Sequence, residues 1–324
     1  MATHNPEPGL FEAQIESIRA QTHANWRCVV SDDASDPARL REIEAVLAGD
    51  DRFALHRNRD RAGFYRNFER AISHADPAAS FVALADHDDR WYPDKLEALL
   101  EALDSSGARL AYSDARAVEA DGTVIRASMW GDGERPNQWS DLATMLIANT
   151  VTGAASLMRR EVASTALPFP ALPGKPYHDH WLALVALAGG DLTYVDRPLY
   201  DWVRHGTSVV VGETELLRPA DYGRLEFPPK FAEWRRDEGN DLRRLEIICA
   251  ELERRLGDAI PPAKRRSLRR VARADSIGGV AWLWWRWLRS RLGSSSSLGR
   301  ELLLLRGVGA RRLDRLRGGR SGHS

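Results

Sequence analysis

Cysteine is nearly missing from this chain. Its 324 residues hold two, Cys28 and Cys249, far apart and outside any paired motif. That argues against a disulfide framework or a zinc site, and a reducing compartment is expected. Long apolar runs are also missing. No stretch approaches eighteen uninterrupted apolar residues, so no membrane-spanning helix is expected. The first thirty residues lack the apolar run of a secretory leader, so none is expected. No internal repeats are visible. Net charge is absent as well, because 46 basic residues balance 46 acidic ones.

That balance hides an asymmetry. From Lys264 to Ser324 there are 16 Lys and Arg against three acids, Asp275, Glu301 and Asp314, a net of +13. The preceding residues carry −13. An acidic globular body with a basic tail is the expectation. The length suffices for one large core or two modest ones.

What is there is an alternation of short apolar runs with helical patterns. Strands are expected over Arg27–Ser31, Phe53–His56, Phe81–Ala85, Leu110–Ser113 and Leu192–Val195. Helices are expected over Pro37–Ala48 (with Asp36 as N-cap), Tyr65–His74, Pro93–Leu103 and Asp179–Ala188. Val118–Ile125, with Asp121-Gly122 in the middle, reads as a hairpin. Val203–Gly212 reads as a loop. Such alternation predicts a mostly parallel α/β sheet, with ligands at the carboxyl ends of strands. After about residue 215 the alternation stops. A charged amphipathic helix over Asp237–Leu256 follows, then a break at Pro261-Pro262. Beyond it lie a tryptophan-rich run, a Gly-Ser linker over 293–297 and an Arg-rich end.

The most informative string is Ala85-Asp86-His87-Asp88-Asp89-Arg90-Trp91, placed where a buried strand should end. Three carboxylates crowded together repel, and a divalent cation relieves such repulsion. Strand alternation would put Asp86 and Asp88 on one side. An equally simple reading is a solvated acidic loop ahead of a helix capped by Asp94. Three other segments bear on function: Thr3-His4-Asn5-Pro6, Asp32-Asp33-Ala34-Ser35, and His178-Asp179-His180-Trp181 with Trp202-Val203-Arg204-His205-Gly206 after it. Each alone has a plain reading as turn, cap, packing or surface chemistry.

In this order the strings SIRAQTHANWRCVVSDDASD, FVALADHDDRWYPDKLEAL, NTVTGAASLMRR and HDHWLALVALAGGDLTYVDRPLYDWVRHG carry a resemblance. From Met1 to about Gly212 the chain resembles glycosyltransferase family 2, inverting enzymes with the GT-A fold, and within it the rhamnosyltransferase-like subgroup. The resemblance implies a Rossmann-like central sheet flanked by helices and a helical, basic C-terminal extension. Three regions are expected: a catalytic domain over 1–212, a helical extension over 213–260 and a Trp/Arg-rich tail over 261–324. The implied activity moves a sugar from a nucleotide-sugar, UDP- or dTDP-linked by preference. The acceptor is a hydroxyl of a glycan or lipid-linked molecule in cell-surface polysaccharide or glycolipid synthesis.

The implied cofactor is Mg²⁺ or Mn²⁺, suited to oxygen ligands and to a diphosphate leaving group. The resemblance puts Asp88 on the metal and Asp86 on ribose or metal water. It places Asp33 on the pyrimidine base and Thr3 and Asn5 along the nucleotide turn, with Arg66 near the donor. Asp179 falls at the position of the general base. Arg204 is expected on phosphate and His205 on metal or phosphate, with a ligand-free loop histidine as the other reading. Gly153 is expected to let backbone approach the donor or acceptor sugar. In the GT-A fold, Thr-x-Asn-Pro follows a central first strand, and here only Met1-Ala2 precede it. The expectation is a start upstream of Met1 and, without it, a slot through the core.

Two further functions remain open on the residues alone. One is a non-catalytic GT-A module that only binds nucleotide-sugar or glycan; the carboxylate at Asp179 favours an enzyme. The other is a nucleotidyltransferase, which calls for a Gly-rich basic phosphate loop that is not seen. Trp282, Trp284, Trp285 and Trp287 among arginines predict peripheral attachment to an anionic membrane surface, at the cytoplasmic inner face. Packing on the catalytic domain is the plain alternative, and nucleic-acid binding is a third, disfavoured reading.

Overall fold

The computed structural model describes residues 1–130, 140–205, 231–291 and 300–318. The predicted loop beyond His205, the Gly-Ser linker and the extreme C-terminus lie outside them. Contacts divide the chain into two compact units. The first comprises Met1–Gly133, Val151–Phe169 and Tyr177–Val211; the second comprises Glu134–Thr150, Pro170–Pro176 and Gly212–Ser324.

The first unit opens with strand β1 (Ala2–Thr3) and helix α1 (Pro8–Arg19). The Glu7 side chain accepts a hydrogen bond from the Leu10 N–H at 2.8 Å, and Pro8 occupies the first turn. That is how a helix satisfies its orphan N–H groups. Strand β2 (Cys28–Asp32), helix α2 (Pro37–Leu47), strand β3 (Phe53–Arg57) and helix α3 (Phe64–Ser73) follow. β1, β2 and β3 form a parallel three-stranded sheet in that order.

A second, six-stranded sheet contains β4 (Phe81–Ala83), β5 (Arg90–Trp91), β6 (Leu110–Glu119), β7 (Val124–Arg126), β8 (Ser156–Arg159) and β9 (Leu192–Arg204). Its order is β4-β8-β6-β9-β5, with β7 hairpinned on β6. Helix α4 (Lys95–Ser106) covers it through Leu99 and Leu103, packed with Ala111, Leu157 and Leu199.

The α/β architecture with flanking helices matches expectation. Parallel pairing, however, is confined to the first sheet and to β6–β9; β4–β8, β6–β8, β5–β9 and β6–β7 are antiparallel. β9 continues through the expected loop start to Arg204, because β6 supplies a ladder partner along its length, with a register shift near Pro198. α4 begins two residues later than expected, since Pro93 and Asp94 form a turn closed by the Lys95 N–H on the Tyr92 carbonyl at 3.1 Å.

The expected first strand is present as two residues. The Met1 ammonium donates to the Val29 carbonyl at 2.8 Å. A cavity of about 620 Å³ is lined by Met1, Cys28 and Val29 from the first sheet side and by Phe81–Ala85 from the second.

The second unit is helical in its described part. It holds α5 (Leu142–Ile147), α8 (Phe231–Leu256), α9 (Pro262–Ala272), α10 (Ile277–Arg291) and α11 (Arg300–Gly318). Leu242, Ile248, Leu252, Leu268, Val271, Leu283 and Val308 form its interior. Arg286 is buried there, 3.3 Å from Glu301 and 3.2 Å from Asp141. Two helices remain in the first unit: α6 (Arg160–Ala166) and α7 (His178–Gly189).

Candidate active site

The turns after β1 and β2 are locked together by short polar side chains. Asp32 accepts from the Ser35 N–H at 3.1 Å and from its hydroxyl. Ser35 in turn accepts from the Asn5 N–H at 2.7 Å, and Asn5 accepts from the Asp36 N–H at 2.8 Å. Asn5 and Ala34 both hold positive φ, 44° and 59°. Such backbone is costly for non-glycine residues and persists where its surroundings over-determine it. Thr3 is buried, and among the described residues its hydroxyl has no partner. An orphaned buried hydroxyl calls for a ligand or water.

Asp33 lies in the same place but is occupied. Its carboxylate accepts from the Ala62 and Gly63 N–H groups at 2.8 and 2.7 Å and from the Asn58 amide at 3.1 Å. Gly63 has φ 79°, a conformation that favours glycine, and opens α3. Asp33 therefore fastens the β3–α3 loop, with lone pairs left over for a base N–H. Asn67, a residue sequence reasoning missed, joins three segments. Its amide donates to the Thr3 and Ser31 carbonyls and accepts from the Ser31 hydroxyl and Asn58. The available signal was a polar residue between Tyr65 and Phe68 on an otherwise apolar helix face.

The acidic string is a turn rather than a strand end. β4 stops at Ala83, so strand alternation does not govern Asp86 and Asp88. The turn still crowds the carboxyls. Burial first, then the charges of Asp88 and Asp179, push Asp86 up to about 7. Asp89 is fully buried and also pushed up by burial and by its two neighbours. It accepts from the Val203 N–H on β9, yet among the described residues its Oδ2 has no partner. Two residues along β9's path, His205 Nε2 lies 2.7 Å from Asp88 Oδ2, across 117 residues of sequence. Among the described residues no three His, Cys, Asp or Glu side chains form a ready cation cage. The donor set nevertheless fits a hard divalent ion: Asp88 touches His205, Asp86 is crowded by like charge, and Asp89 keeps an orphaned oxygen.

Lys95 was also missed. It is fully buried at the first turn of α4, its ammonium bonded to the Ala154 carbonyl. It stands 3.9 Å over the Trp91 ring and 4.5 Å from that of Tyr200. Burial pushes it down to about 7, against the pull of Asp89 and Asp86. A lysine beneath paired carboxylates supplies countercharge. Its position on the buried face of α4 was the available signal.

Asp179 sits in the first turn of α7, where N–H groups point toward a carboxylate. It accepts from the His180 N–H at 2.6 Å and from the Gly153 N–H at 3.3 Å. Burial outweighs those bonds and raises it to about 6. Gly153 is crowded from an unexpected side. A Cβ there would lie 2.6 Å from His178 Nε2 and 3.4 Å from Asp179 Cβ. The close approach is thus to α7 itself. His178 stacks on Phe68 at 3.6 Å between centroids, and burial pushes it down to about 3, so it is neutral.

Two expected residues are not gathered in. Arg66 pairs with Glu69 at 2.5 Å and donates to the Phe169 carbonyl at 2.8 Å. Arg204 is exposed at the end of β9, on the face opposite buried Val203. Strand alternation separates it from Val203.

The model of Glycosyl transferase family 2 matches residues 1–166. Protein y4gI of Sinorhizobium fredii is 33% identical over 140 residues, which cover 41% of this chain and 14% of that protein. The UDP-Glc:alpha-D-GlcNAc-diphosphoundecaprenol beta-1,3-glucosyltransferase WfgD of Escherichia coli is 35% identical over 98 residues, covering 30% and 36%. The chain thus spans little more than a third, or less, of these relatives. The crystal structure of S. aureus TarS 1-349 in complex with UDP-GlcNAc superposes with a TM-score of 0.51 at 13% identity, covering 84% of this chain and 89% of that one. That likeness concerns the fold alone.

Proposed function

The chain belongs to glycosyl transferase family 2, and we propose that it transfers a sugar from a UDP- or dTDP-sugar, with inversion, to a hydroxyl of a glycan or lipid-linked acceptor in cell-surface polysaccharide synthesis. The observation that carries this reading is the contact of Asp88 with His205, beside an Asp86 crowded by Asp88 and Asp179. Family 2 membership with WfgD as a relative supports a lipid-diphosphate-linked acceptor, since WfgD's name describes transfer to one.

Asp88 and His205, with Asp86 beside them, would hold Mg²⁺ or Mn²⁺. Such a cation neutralises charge on a departing diphosphate. The chain's own residues do the rest. The Thr3 hydroxyl and the spare lone pairs of Asp33 face the nucleoside. Asp89 anchors β9 at Val203 and thereby aims His205. Lys95 balances charge beneath the turn and holds the Gly153–Ala155 turn through the Ala154 carbonyl. The Asp179 carboxylate takes the acceptor hydroxyl's proton as that oxygen attacks. Attack opposite the leaving group inverts the anomeric carbon. A carboxyl near 6 is ionised at neutral pH while remaining a competent base. We place the enzyme on the cytoplasmic inner membrane face, where a lipid-linked acceptor is presented. The basic tail supports this, and among the described residues no helix is long and apolar enough to cross a membrane.

A thermal-shift screen of UDP-, GDP- and dTDP-sugars with and without Mn²⁺ tests the reading. The expected result is stabilisation by a UDP- or dTDP-sugar only with Mn²⁺, lost in Asp88→Asn. Metal-independent binding, or full Mn²⁺-dependent binding by Asp88→Asn, would overturn it.

A further inference from the structure

The second unit carries a surface that sugar transfer does not use. α10 contains no acidic residue. One side of it faces the interior through buried Leu283 and Arg286. On the other side Ile277, Ala281, Trp284, Trp285 and Leu288 are all exposed. Their spacing of four, three, one and three residues is that of a single helical stripe. Ile277 is 85% exposed, Trp284 49%, Trp285 51% and Leu288 56%. Large apolar side chains aligned in water mark a surface made for a partner.

Charge identifies the partner. From Pro262 to Arg291 the sequence holds nine Lys and Arg against one acid, Asp275. Arg286 pairs with Glu301 and Asp141, and Arg265 with Glu253 and Asp258, which leaves seven other basic residues on and between α9 and α10. Asp275 lies 3.7 Å from Arg311. The Arg289 guanidinium lies 4.8 Å from the Trp285 ring centre, so a cation borders the apolar stripe. We propose that this stripe docks on an anionic lipid bilayer. The indoles settle at headgroup depth, Ile277 and Leu288 enter the acyl boundary, and the flanking arginines meet lipid phosphates. A second copy of the chain would bring two strongly basic faces together, which repel. A nucleic acid would satisfy the arginines and indoles but leave Ile277 and Leu288 in water. The helix lies on the membrane rather than across it.

Docking deepens the proposal of a membrane-presented acceptor, and its test is independent of catalysis. The full chain is floated with phosphatidylcholine vesicles, with and without phosphatidylglycerol. Wild type is expected to float with the anionic vesicles, and to be released by salt. Trp284→Ser with Trp285→Ser should weaken that partition by at least about tenfold, since each indole contributes a large buried area. The variant should stay folded, losing the Trp284 edge contact on Trp287 while buried Leu283 and Arg286 are kept, and should keep its Mn²⁺-dependent nucleotide binding. Equal flotation on both vesicle types, or unchanged flotation of the double variant, would overturn docking. So would a dimer in light scattering that the double variant converts to monomer, which would make the stripe a self-interface. Loss of nucleotide binding in wild type would instead strike at the catalytic reading alone.

Discussion

Replacing Asp179 by Asn should separate catalysis from stability in opposite directions. The carboxyl rises from an ordinary value near 3.8 to about 6. Burial disfavours its charged form more than the His180 and Gly153 N–H groups favour it. Between those two values the folded chain binds more protons than the unfolded one, so this group's contribution to stability falls as pH rises through the window. Above about 6 the full cost is present, about 3 kcal/mol. Asn keeps an oxygen for the His180 N–H and carries no charge, so Asp179→Asn should be more stable than wild type at pH 8 by about 1–3 kcal/mol. At pH 4 the two should converge. Turnover should fall by about 10²–10⁴, the usual contribution of a general base, and its rise with pH through about 6 should vanish. Urea melts at pH 4 and 8 in chelator give the first comparison; release of nucleoside diphosphate with the donor found by thermal shift gives the second. A variant that is equally active, or one destabilised at pH 8, would refute the reasoning.

Three further substitutions probe the surroundings. Gly153→Ala puts a methyl 2.6 Å from His178 Nε2 and should cost about 1–3 kcal/mol by overpacking; a melt within error of wild type would show that α7 yields freely. Lys95→Met removes the ammonium beside Asp86 and Asp89 and should destabilise by about 3 kcal/mol at pH 7, where Lys95, pushed down to about 7, still carries charge. The loss should shrink at pH 5, where both raised carboxyls are protonated, so an equal loss at both pH values would exclude charge compensation. Arg286→Met strands buried Glu301 and should cost about 3–5 kcal/mol in a urea melt, whereas a loss under about 1 kcal/mol would mean that Glu301 finds another partner.

The helix and strand pattern of the first unit was legible because its burial is one-sided and its turns are marked by Pro, Gly and Asp. Misjudged ends had tertiary causes. β9 outran its expected end because β6 offered it a ladder, and α4 started late because Pro93 and Asp94 were taken into a turn. Asp86, Asp88, Asp179 and His205 stood out as charged or titratable residues beside apolar runs. Lys95 and Asn67 did not, because a lone polar residue in an amphipathic helix ordinarily points to water; their places on the apolar faces were the one signal, and packing bears it out.

The sequence by itself determined the alternation of elements, the order of the acidic motifs and the opposition of an acidic body to a basic tail. These depend on local periodicity and composition. Only the tertiary structure decided that His205 meets Asp88, that Gly153 packs against the start of α7, and that Arg66 pairs with Glu69. It also decided which tryptophans face water. Such facts depend on which distant segments the sheets and helices bring within a few ångströms of each other, and no local pattern encodes that distance.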